Sequence, residues 1–299
     1  MRVERAPLPP AAWRAAGELI AFQGQRLFVS AQGQGPAVLA LHAFPTASYD
    51  YHKVVARLQD RFRLIVFDYP GFGFSAKPRR YPYSLFTYAD AAEAVAAHFG
   101  LGPVHVLAHD IGDSVALELL RRSRLSVTSL ALLNGSVWSI PFTDWRLRLP
   151  QQLSLHPVSG PLISRWRLFR RGALRAFFDR IFVQRPSTAE LAAFWELMAH
   201  NDGPAIYHQL MGYMPERWQH QTAWLAALQA HPAPLALIWG LADPVATPAV
   251  ADKVLELRPA ADCLRLTQVG HYPQWEVPDT VAATLAAFWR RAGSSTSST

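Results

Sequence analysis

The stretch 104–120 constrains the fold more than any other part of the chain. It is an apolar, strand-like run that leads through Asp110 into a helix-forming segment, 113–120. Small residues, Ala108 and Gly112, stand two positions before and two positions after Asp110. This spacing is typical of a nucleophile elbow, a sharp strand-to-helix turn that presents one side chain at the edge of a sheet. Small flanking residues are needed because the backbone doubles back tightly there.

A carboxylate at the apex of this turn predicts a particular chemistry. A nucleophilic Asp110 is suited to attack on a saturated carbon, with a covalent alkyl ester as the intermediate. The alternative is structural, because an aspartate in a strand-to-helix loop is a common helix N-cap. A serine nucleophile is disfavoured, since Gly-x-Ser-x-Gly occurs nowhere and the segment GFSAK at 73–77 lacks the last glycine.

Two further residues follow predicted strands and complete a candidate triad. Asp243 follows a strand at 234–240, and His271 follows a strand at 263–269. Because open α/β sheets bind ligands at the carboxyl ends of their strands, we expect Asp110, Asp243 and His271 to meet there. His271 is expected to deprotonate the water that hydrolyses the ester. Asp243 is expected to hold the imidazole in the right tautomer and to stabilise its cation.

The order of elements predicts an α/β fold with a mostly parallel, doubly wound sheet. Apolar runs that alternate with helical patterns indicate parallel strands with right-handed crossovers, covered on both faces. Between residues 138 and 230 the alternation stops, and only helical patterns rich in Trp, Phe and Arg appear. We therefore predict a core at 1–137, a helical cap at 138–230, the rest of the core at 231–292 and a flexible tail at 293–299.

The distribution of apolar residues and the single cysteine bear on the cellular compartment of the protein. The chain has one cysteine, Cys263, and residues 1–7 lack the apolar run of a signal peptide. No apolar stretch approaches the length needed to cross a bilayer. These features predict a cytoplasmic protein, monomeric or homodimeric, with no membrane span, no metal and no cofactor.

The positive charge is concentrated in one region. The net charge is +7, and the range 144–180 holds eight arginines against two aspartates. A nucleic-acid or anionic-membrane surface would have this composition. Apolar residues such as Trp166, Leu168 and Phe178 interleave with the arginines at roughly helical spacing, which favours the solvated face of amphipathic helices. No nucleic-acid partner is therefore predicted.

The loop after a predicted strand at 37–42 supplies a candidate oxyanion site. The backbone N–H groups of Phe44 and Ile111 are expected to point at the ester oxygen during hydrolysis. His42 has no second ligand beside it for a metal, so we expect it to brace this loop next to the substrate pocket. His109 neighbours the nucleophile in sequence but should point the other way.

These segments resemble the α/β-hydrolase superfamily, specifically its aspartate-nucleophile branch of epoxide hydrolases and haloalkane dehalogenases. LHAFP at 41–45 resembles the His-Gly-x-Pro loop of that branch, with Ala43 in place of glycine, and DYPGFGFS at 68–75 is similar to its Asp-x-x-Gly-x-Gly-x-Ser stretch. The likeness runs from about Leu19 to Trp289 and includes a likeness to the mesoderm-specific transcript protein group. That likeness rests on FPTASYD at 44–50, HDIGD at 109–113, NDG at 201–203 and HYPQ at 271–274. The resemblance implies an α/β-hydrolase fold with an inserted helical cap.

The chain differs from both haloalkane dehalogenases and epoxide hydrolases at positions that bear on the substrate. Haloalkane dehalogenases usually carry tryptophan after the nucleophile and asparagine in the oxyanion loop, but Ile111 and Phe44 stand here and donate no side-chain hydrogen bond. Epoxide hydrolases protonate the ring oxygen with cap tyrosines, and Tyr213 matches one such position in its spacing to Trp224. The usual partner tyrosine is not evident earlier in the cap, and Tyr207 is the candidate substitute.

The resemblance therefore implies an epoxide hydrolase that acts on a small apolar substrate and water. Asp110 would open the ring, Tyr213 would donate a proton, and His271, oriented by Asp243, would activate water to release a diol. The pocket between core and cap is expected to be apolar, with Phe44, Ile111, Trp138, Phe182, Tyr207 and Trp275 as its lining. Haloalkane or haloacid dehalogenation by the same triad is the enzymatic alternative. A non-catalytic binding protein on a hydrolase scaffold is the alternative of another class.

Overall fold

Eight strands form a single sheet in the computed structural model, which describes residues 8–135, 137–138, 142 and 144–296. The strands are β1 (Glu18–Phe22), β2 (Gln25–Gln32), β3 (Ala37–Leu41), β4 (Arg63–Phe67), β5 (Val104–His109), β6 (Val127–Leu133), β7 (Leu235–Gly240) and β8 (Asp262–Leu266). Their order across the sheet is β1-β2-β4-β3-β5-β6-β7-β8. The β1–β2 and β2–β4 pairs are antiparallel, and the remaining pairs are parallel.

Helices connect the strands and account for most of the chain between β6 and β7. They are α1 (Pro10–Ala15), α2 (His52–Leu58), α3 (Leu85–His98), α4 (Ile111–Arg122), α5 (Trp145–Leu155), α6 (Ser159–Arg165), α7 (Arg171–Ile181), α8 (Thr188–Ala199), α9 (Tyr207–Leu210), α10 (Tyr213–Ala230), α11 (Pro248–Leu257), α12 (Pro273–Glu276) and α13 (Pro278–Thr296). Two 3₁₀ helices, Ser48–Tyr51 and His200–Ile206, lie between them. We refer to α5–α10, residues 145–230, as the helical segment.

The central strands are apolar throughout because both faces of the sheet are covered. All six residues of β5 are buried. Val106 and Ala108 pack into one apolar cluster, whereas Leu107, between them, packs into the cluster on the other face. Successive side chains of a strand point to opposite faces, so a strand in a middle layer needs apolar residues at every position. The predicted α/β fold with a mostly parallel sheet is confirmed.

The strand predicted at 263–269 is too long, because β8 ends at Leu266. The following loop turns across the end of β7, where the N–H of Ala242 donates to the carbonyl oxygen of Val269 at 3.0 Å. A Cβ atom on Gly240 would lie 2.1 Å from the carbonyl oxygen of Gly270. This close approach of two backbones carries the next residue, His271, to the carboxyl edge of the sheet.

Both ends of the chain differ from expectation. Helix α1 was not predicted, and its Trp13 is buried against the core. Helix α13 continues to Thr296, so it includes the first four residues of the range 293–299. The Ser294 hydroxyl donates to the Arg291 carbonyl at 2.8 Å and helps to continue this helix. Residues 1–7 and 297–299, with the predicted absence of a leader and the rest of the tail, lie outside the described residues.

The arginine-rich region is amphipathic only in part. Phe178 is buried as expected, but Trp166 and Leu168 are 64% and 55% exposed. The reason is a break after α6, where Arg167 adopts a positive φ of 49° and the chain turns instead of continuing as one helix. Among the described residues, no helix is both long enough and apolar enough to cross a membrane.

Candidate active site

Asp110 occupies the sharp turn that its flanking residues predict. It lies between β5 and α4 with φ 53° and ψ −115°, and its side chain makes no capping hydrogen bond to the helix. A positive φ in a non-glycine residue costs about 1–3 kcal/mol, which the surrounding structure must hold in place. Gly112 shows why the turn needs a small residue, since a Cβ there would lie 2.3 Å from the carbonyl oxygen of Leu41. The structure therefore places Asp110 at the edge of the sheet in a strained conformation.

The loop after β3 presents a backbone donor to this carboxylate. The N–H of Phe44 donates to Oδ2 of Asp110 at 3.0 Å. Ile111 follows Asp110 directly as the first residue of α4, where backbone N–H groups lack partners inside the helix. Of the two predicted oxyanion residues, Phe44 therefore contacts the Asp110 carboxylate directly, and Ile111 is its neighbour in sequence.

His42 holds the same loop from behind. Its Nε2 accepts the N–H of Tyr69 at 3.0 Å, so Nδ1 carries the proton and donates to the carbonyl oxygen of Ala43 at 2.8 Å. Burial lowers the pKa of His42 to about 4, although the charge of Asp68 opposes this shift. His42 is a neutral brace, and it does not line the cavity at Asp110 as its pocket assignment predicted.

His271 and Asp243 form a direct pair at the carboxyl ends of β8 and β7. Nδ1 of His271 lies 2.7 Å from Oδ2 of Asp243, and both side chains are almost fully buried. Burial favours the neutral ring, but the charges of Asp243 and Asp110 outweigh it and raise the pKa of His271 above its usual value. The other Asp243 oxygen, Oδ1, accepts the N–H of Val245 at 2.7 Å. The carboxylate is therefore held on both oxygens.

A second set of polar residues fixes the loop that carries His271. His109 donates from Nε2 to the carbonyl oxygen of His271 at 2.7 Å and accepts from the Gln274 amide on Nδ1 at 2.8 Å. The backbone N–H of His271 donates to Ile181 of the helical segment at 2.8 Å. Burial, followed by the neighbouring His271, holds the pKa of His109 well below its usual value. His109 points away from the nucleophile, and it positions the His271 backbone.

A cavity opens above Asp110 between the sheet edge and the helical segment. It is small and partly open, and its lining comprises Asp110, Gly135, Trp138, Phe142, Tyr213, Met214, Arg217, Val245, Ala246 and Val250. Burial and then the charge of Asp110 raise the pKa of Tyr213, so its phenol is neutral at pH 7. Arg217 opposes this rise and lies with its guanidinium carbon 5.6 Å from the centre of the Tyr213 ring.

The remaining predicted pocket residues lie elsewhere. Tyr207 lines a second small cavity and stacks on Phe169 at 4.1 Å between ring centres. Phe182 stacks on Tyr272 at 4.7 Å, and Trp275 packs against Phe194 at 4.4 Å. Neither Phe182 nor Trp275 lines the cavity at Asp110. Trp275 lies four residues after His271, and Phe182 follows Ile181, whose carbonyl oxygen accepts the His271 N–H. The rings of both residues nevertheless pack in the core.

Phe44 stands between the two cavities. Its ring centre lies 5.4 Å from that of Tyr213 on one side and 5.7 Å from that of Tyr207 on the other. It thus touches one aromatic residue from the lining of each cavity and separates the space at Asp110 from the space at Tyr207.

Two residues of the site were missed by sequence reasoning. Asn134, at the end of β6, donates through Nδ2 to Oδ2 of Asp243 at 2.9 Å and exchanges hydrogen bonds with Gly240. Arg217, which lies one helical turn after Tyr213, is buried in the cavity lining. The position of Asn134 directly after the apolar run 127–133 was a usable signal. An arginine four positions after the predicted acid was another.

Asp113 is a third buried carboxyl near the nucleophile. Its two carboxyl oxygens have no hydrogen-bond partner within the described structure. Burial and then the charge of Asp110 raise the pKa of Asp113 well above its usual value. Burial and the neighbouring charge therefore both favour the uncharged form of this carboxyl. The described residues contain no group of three His, Cys, Asp or Glu side chains that could hold a metal ion.

Sequence similarity to known proteins extends over most of the chain. A family described as alpha/beta hydrolase fold matches residues 36–278. LipZ of Mycobacterium tuberculosis, a hydrolase by name, is 40% identical over 278 residues, which cover 90% of this chain and 94% of LipZ. The human mesoderm-specific transcript homolog protein is 35% identical over 284 residues, covering 89% of this chain and 83% of that protein.

Solved structures show the same fold at lower identity. The haloalkane dehalogenase DbeA of Bradyrhizobium elkani superposes with a TM-score of 0.77 at 24% identity, covering 93% of this chain and 99% of DbeA. The epoxide hydrolase CorEH superposes with a TM-score of 0.74 at 20% identity, covering 92% of this chain and 98% of CorEH. At these identities the likeness establishes the fold.

Proposed function

The chain belongs to the α/β-hydrolase fold family, and within that family we propose that it is an epoxide hydrolase with Asp110 as its nucleophile. One observation carries the proposal: the Asp110 carboxylate, at a strained turn, accepts the Phe44 N–H and shares a cavity with the neutral phenol of Tyr213. A nucleophile and an acid in one cavity are what ring opening requires. Residues 138–230 are proposed to act as a cap, because Tyr213, Met214 and Arg217 close this cavity.

Ring opening is the first step. A carboxylate oxygen of Asp110 attacks the epoxide carbon, while the Phe44 N–H helps to hold the carboxylate in place. As the C–O bond of the ring breaks, Tyr213 transfers its proton to the departing oxygen. The products are a hydroxyalkyl ester on Asp110 and a phenolate on Tyr213. The positive charge of Arg217, 5.6 Å from that ring, stabilises the phenolate.

Ester hydrolysis is the second step and restores every group. Neutral His271 takes a proton from water, and the resulting hydroxide attacks the carbonyl carbon of the ester. The N–H groups of Phe44 and Ile111 stabilise the oxygen that becomes negative. Collapse releases the diol, which takes its proton from His271, and the proton left on Asp110 returns to the Tyr213 phenolate. Asp243 stabilises the imidazolium throughout.

Dehalogenation is a second candidate, and one observation favours it. Trp138 and Arg217 both line the cavity at Asp110 and both carry N–H donors, which a departing halide requires. Against it, the two positions beside the nucleophile, Phe44 and Ile111, have side chains that donate nothing. Halide release from bromoalkanes distinguishes the two reactions. A scaffold that only binds would give neither diol nor halide.

The test traps the intermediate. In a His271→Gln variant the ester forms but is not hydrolysed, so incubation with styrene oxide or a linear aliphatic epoxide should add the full mass of that epoxide. Peptide mapping should place the added mass on Asp110. With a bromoalkane, an added alkyl group without bromine would indicate dehalogenation.

Two controls make the trapping specific. His98→Gln changes an exposed histidine that pairs with Glu18 and should accumulate no adduct, because its ester is hydrolysed normally. A double variant, Asp110→Ala with His271→Gln, should also remain unmodified. Modification of that double variant, or no adduct with any epoxide or bromoalkane, would contradict the proposal.

A further inference from the structure

The outer surface of the helical segment exposes an unusual amount of apolar side chain. Of the twelve large apolar residues that are exposed in the described structure, eight lie within residues 145–168. Trp145 and Trp166 are each 64% exposed, and Val158 is 63% exposed. Single exposed apolar residues are normal on protein surfaces, but a concentration of them in one short stretch marks an interaction site.

The exposed residues follow the periodicity of the two helices that carry them. Trp145, Leu149 and Leu153 are spaced by four along α5, and Val158, Leu162 and Trp166 have the same spacing across α6. Residues four apart lie on one face of a helix. Helices α5 and α6 contact each other, and each exposes its apolar residues at this spacing. We call these six residues the apolar stripe.

Arginines accompany the apolar stripe with almost no acidic residue among them. Residues 144–171 contain six arginines and one aspartate, with no lysine and no glutamate. Arg146 and Arg165 lie over the rings of Trp145 and Trp166 at 5.4 and 5.7 Å. Within the described structure, these two arginines form no ion pair. Their charge is therefore available to a negatively charged partner.

We propose that the apolar stripe docks the protein onto an anionic lipid surface. An interfacial helix inserts Trp and Leu side chains at the level of the headgroups while arginines beside them bind lipid phosphates. Tryptophan is favoured at that boundary. Trp145 is the first residue of α5, and Trp166 directly follows α6. The protein lies on the membrane in this arrangement and does not cross it.

The composition of the surface disfavours two other occupants. A second copy of the chain would bring two arginine-rich faces together, and like charges repel across an interface. A nucleic acid would match the arginines and could stack on the tryptophans, but it offers nothing apolar to Leu149, Leu153 and Leu162. A lipid surface complements the aliphatic, aromatic and cationic side chains together.

Vesicle flotation tests the docking surface independently of any catalytic activity. The protein is mixed with phosphatidylcholine vesicles that contain or lack phosphatidylglycerol, at low and high salt. The wild type should float with the anionic vesicles, less with the neutral ones, and less at high salt. A Trp145→Ser/Trp166→Ser variant should bind the anionic vesicles at least about tenfold more weakly, because two interfacial anchors are lost.

A matched variant distinguishes the stripe from general stickiness. Trp218 is 54% exposed on α10, outside the stripe, so Trp218→Ser should bind vesicles as the wild type does. Equal loss in both variants, or no flotation of the wild type at low salt, overturns the proposal. So does preferential binding to duplex DNA, or a dimer in light scattering that the double variant abolishes while vesicle binding is absent.

Discussion

The carboxyl edge of the sheet and the outer surface of the helical segment treat their side chains in opposite ways. At the edge, Asp110, Asp243 and His271 are almost fully buried, and hydrogen bonds of 3.0 Å or less hold all three. On α5 and α6, Trp145 and Trp166 remain mostly in contact with solvent. The molecule removes polar groups from water in one region and leaves apolar groups in water in the other.

Both arrangements are unfavourable for a protein that only has to be stable. Burying charged groups costs free energy even when they are paired, and a strained backbone at Asp110 adds to that cost. Exposed tryptophans and leucines cost free energy by ordering water. Two such arrangements in separate places indicate two separate roles, chemistry at the sheet edge and docking at the helical surface. Each role should therefore respond to substitutions that leave the other unchanged.

The largest expected effect comes from removing the nucleophile. Asp110→Ala should reduce epoxide turnover by at least about 10⁴-fold, because the covalent route is lost. Vesicle binding should not change, since the substitution lies far from the apolar stripe in the chain and in a different layer. Steady-state diol formation and flotation measure the two properties on one preparation. Turnover within about a hundredfold of the wild type would contradict a nucleophilic role.

The proposed acid should have the next largest effect. Tyr213→Phe keeps the ring and its packing but removes the proton donor, and general acid catalysis contributes about 10²–10⁴-fold. Single-turnover kinetics should show that ring opening slows while ester hydrolysis does not. Tyr207→Phe is the matched control, because Tyr207 lines the other cavity. A larger loss in the control than in Tyr213→Phe would reverse the assignment.

Asn134 is expected to act through Asp243. Asn134→Ala removes the amide that donates to Oδ2 of Asp243 at 2.9 Å, the same oxygen that pairs with His271. Loss of a buried hydrogen bond to a charged group is worth about 1.5–3 kcal/mol, which corresponds to roughly 10–100-fold in the hydrolysis step. The pH profile of hydrolysis should shift as well, because Asp243 sets the His271 pKa. An unchanged profile would assign Asn134 a purely structural role.

The pH dependence follows from the direction of the His271 shift. Despite burial, Asp243 and Asp110 raise its pKa above 6.5, and only the neutral ring can deprotonate water. Ester hydrolysis should therefore increase with pH through that pKa and level off above it. In the ester, Asp110 has lost its charge, so the pKa seen in hydrolysis should lie below the pKa of the free enzyme. Stopped-flow hydrolysis and histidine NMR give the two values, and the reverse order would contradict the account.

The smallest effect concerns stability alone. The pKa of Asp113 is raised in the folded protein, so its contribution is favourable below pH 3.8 and is lost as the pH rises. Asp113→Asn removes that loss and should raise Tm by a few degrees at pH 7. The difference from the wild type should shrink towards pH 4. Thermal unfolding across this range measures it, and a lower Tm at pH 7 would show that Asp113 is charged and paired.

Sequence patterns predicted the features that depend on the spacing of residues along the backbone. The small-x-Asp-x-small spacing predicts the turn at Asp110 because only small residues fit beside Leu41. The positions of Asp243 and His271 followed from the rule that strand ends converge. Such rules concern backbone geometry, which spacing determines, and the structure places these three side chains at one edge.

The same patterns did not predict the direction in which individual side chains point. Phe182 and Trp275 were expected in the pocket, but their rings stack in the core, and nothing in their spacing distinguishes the two faces. Trp166 was expected on an inner helix face and is exposed, because a backbone turn at Arg167 interrupts the helix. Asn134 was missed, although it follows an apolar run at 127–133. These outcomes depend on contacts between distant parts of the chain.

The covalent ester on Asp110 is the claim on which the chemistry depends, and oxygen-18 labelling tests it most directly. In a single turnover in labelled water, with enzyme in excess over epoxide, the diol should be unlabelled because its new oxygen comes from Asp110. The label should appear in the peptide that contains Asp110. A labelled diol with an unlabelled Asp110 peptide would mean that water attacks the epoxide directly, and would contradict the account.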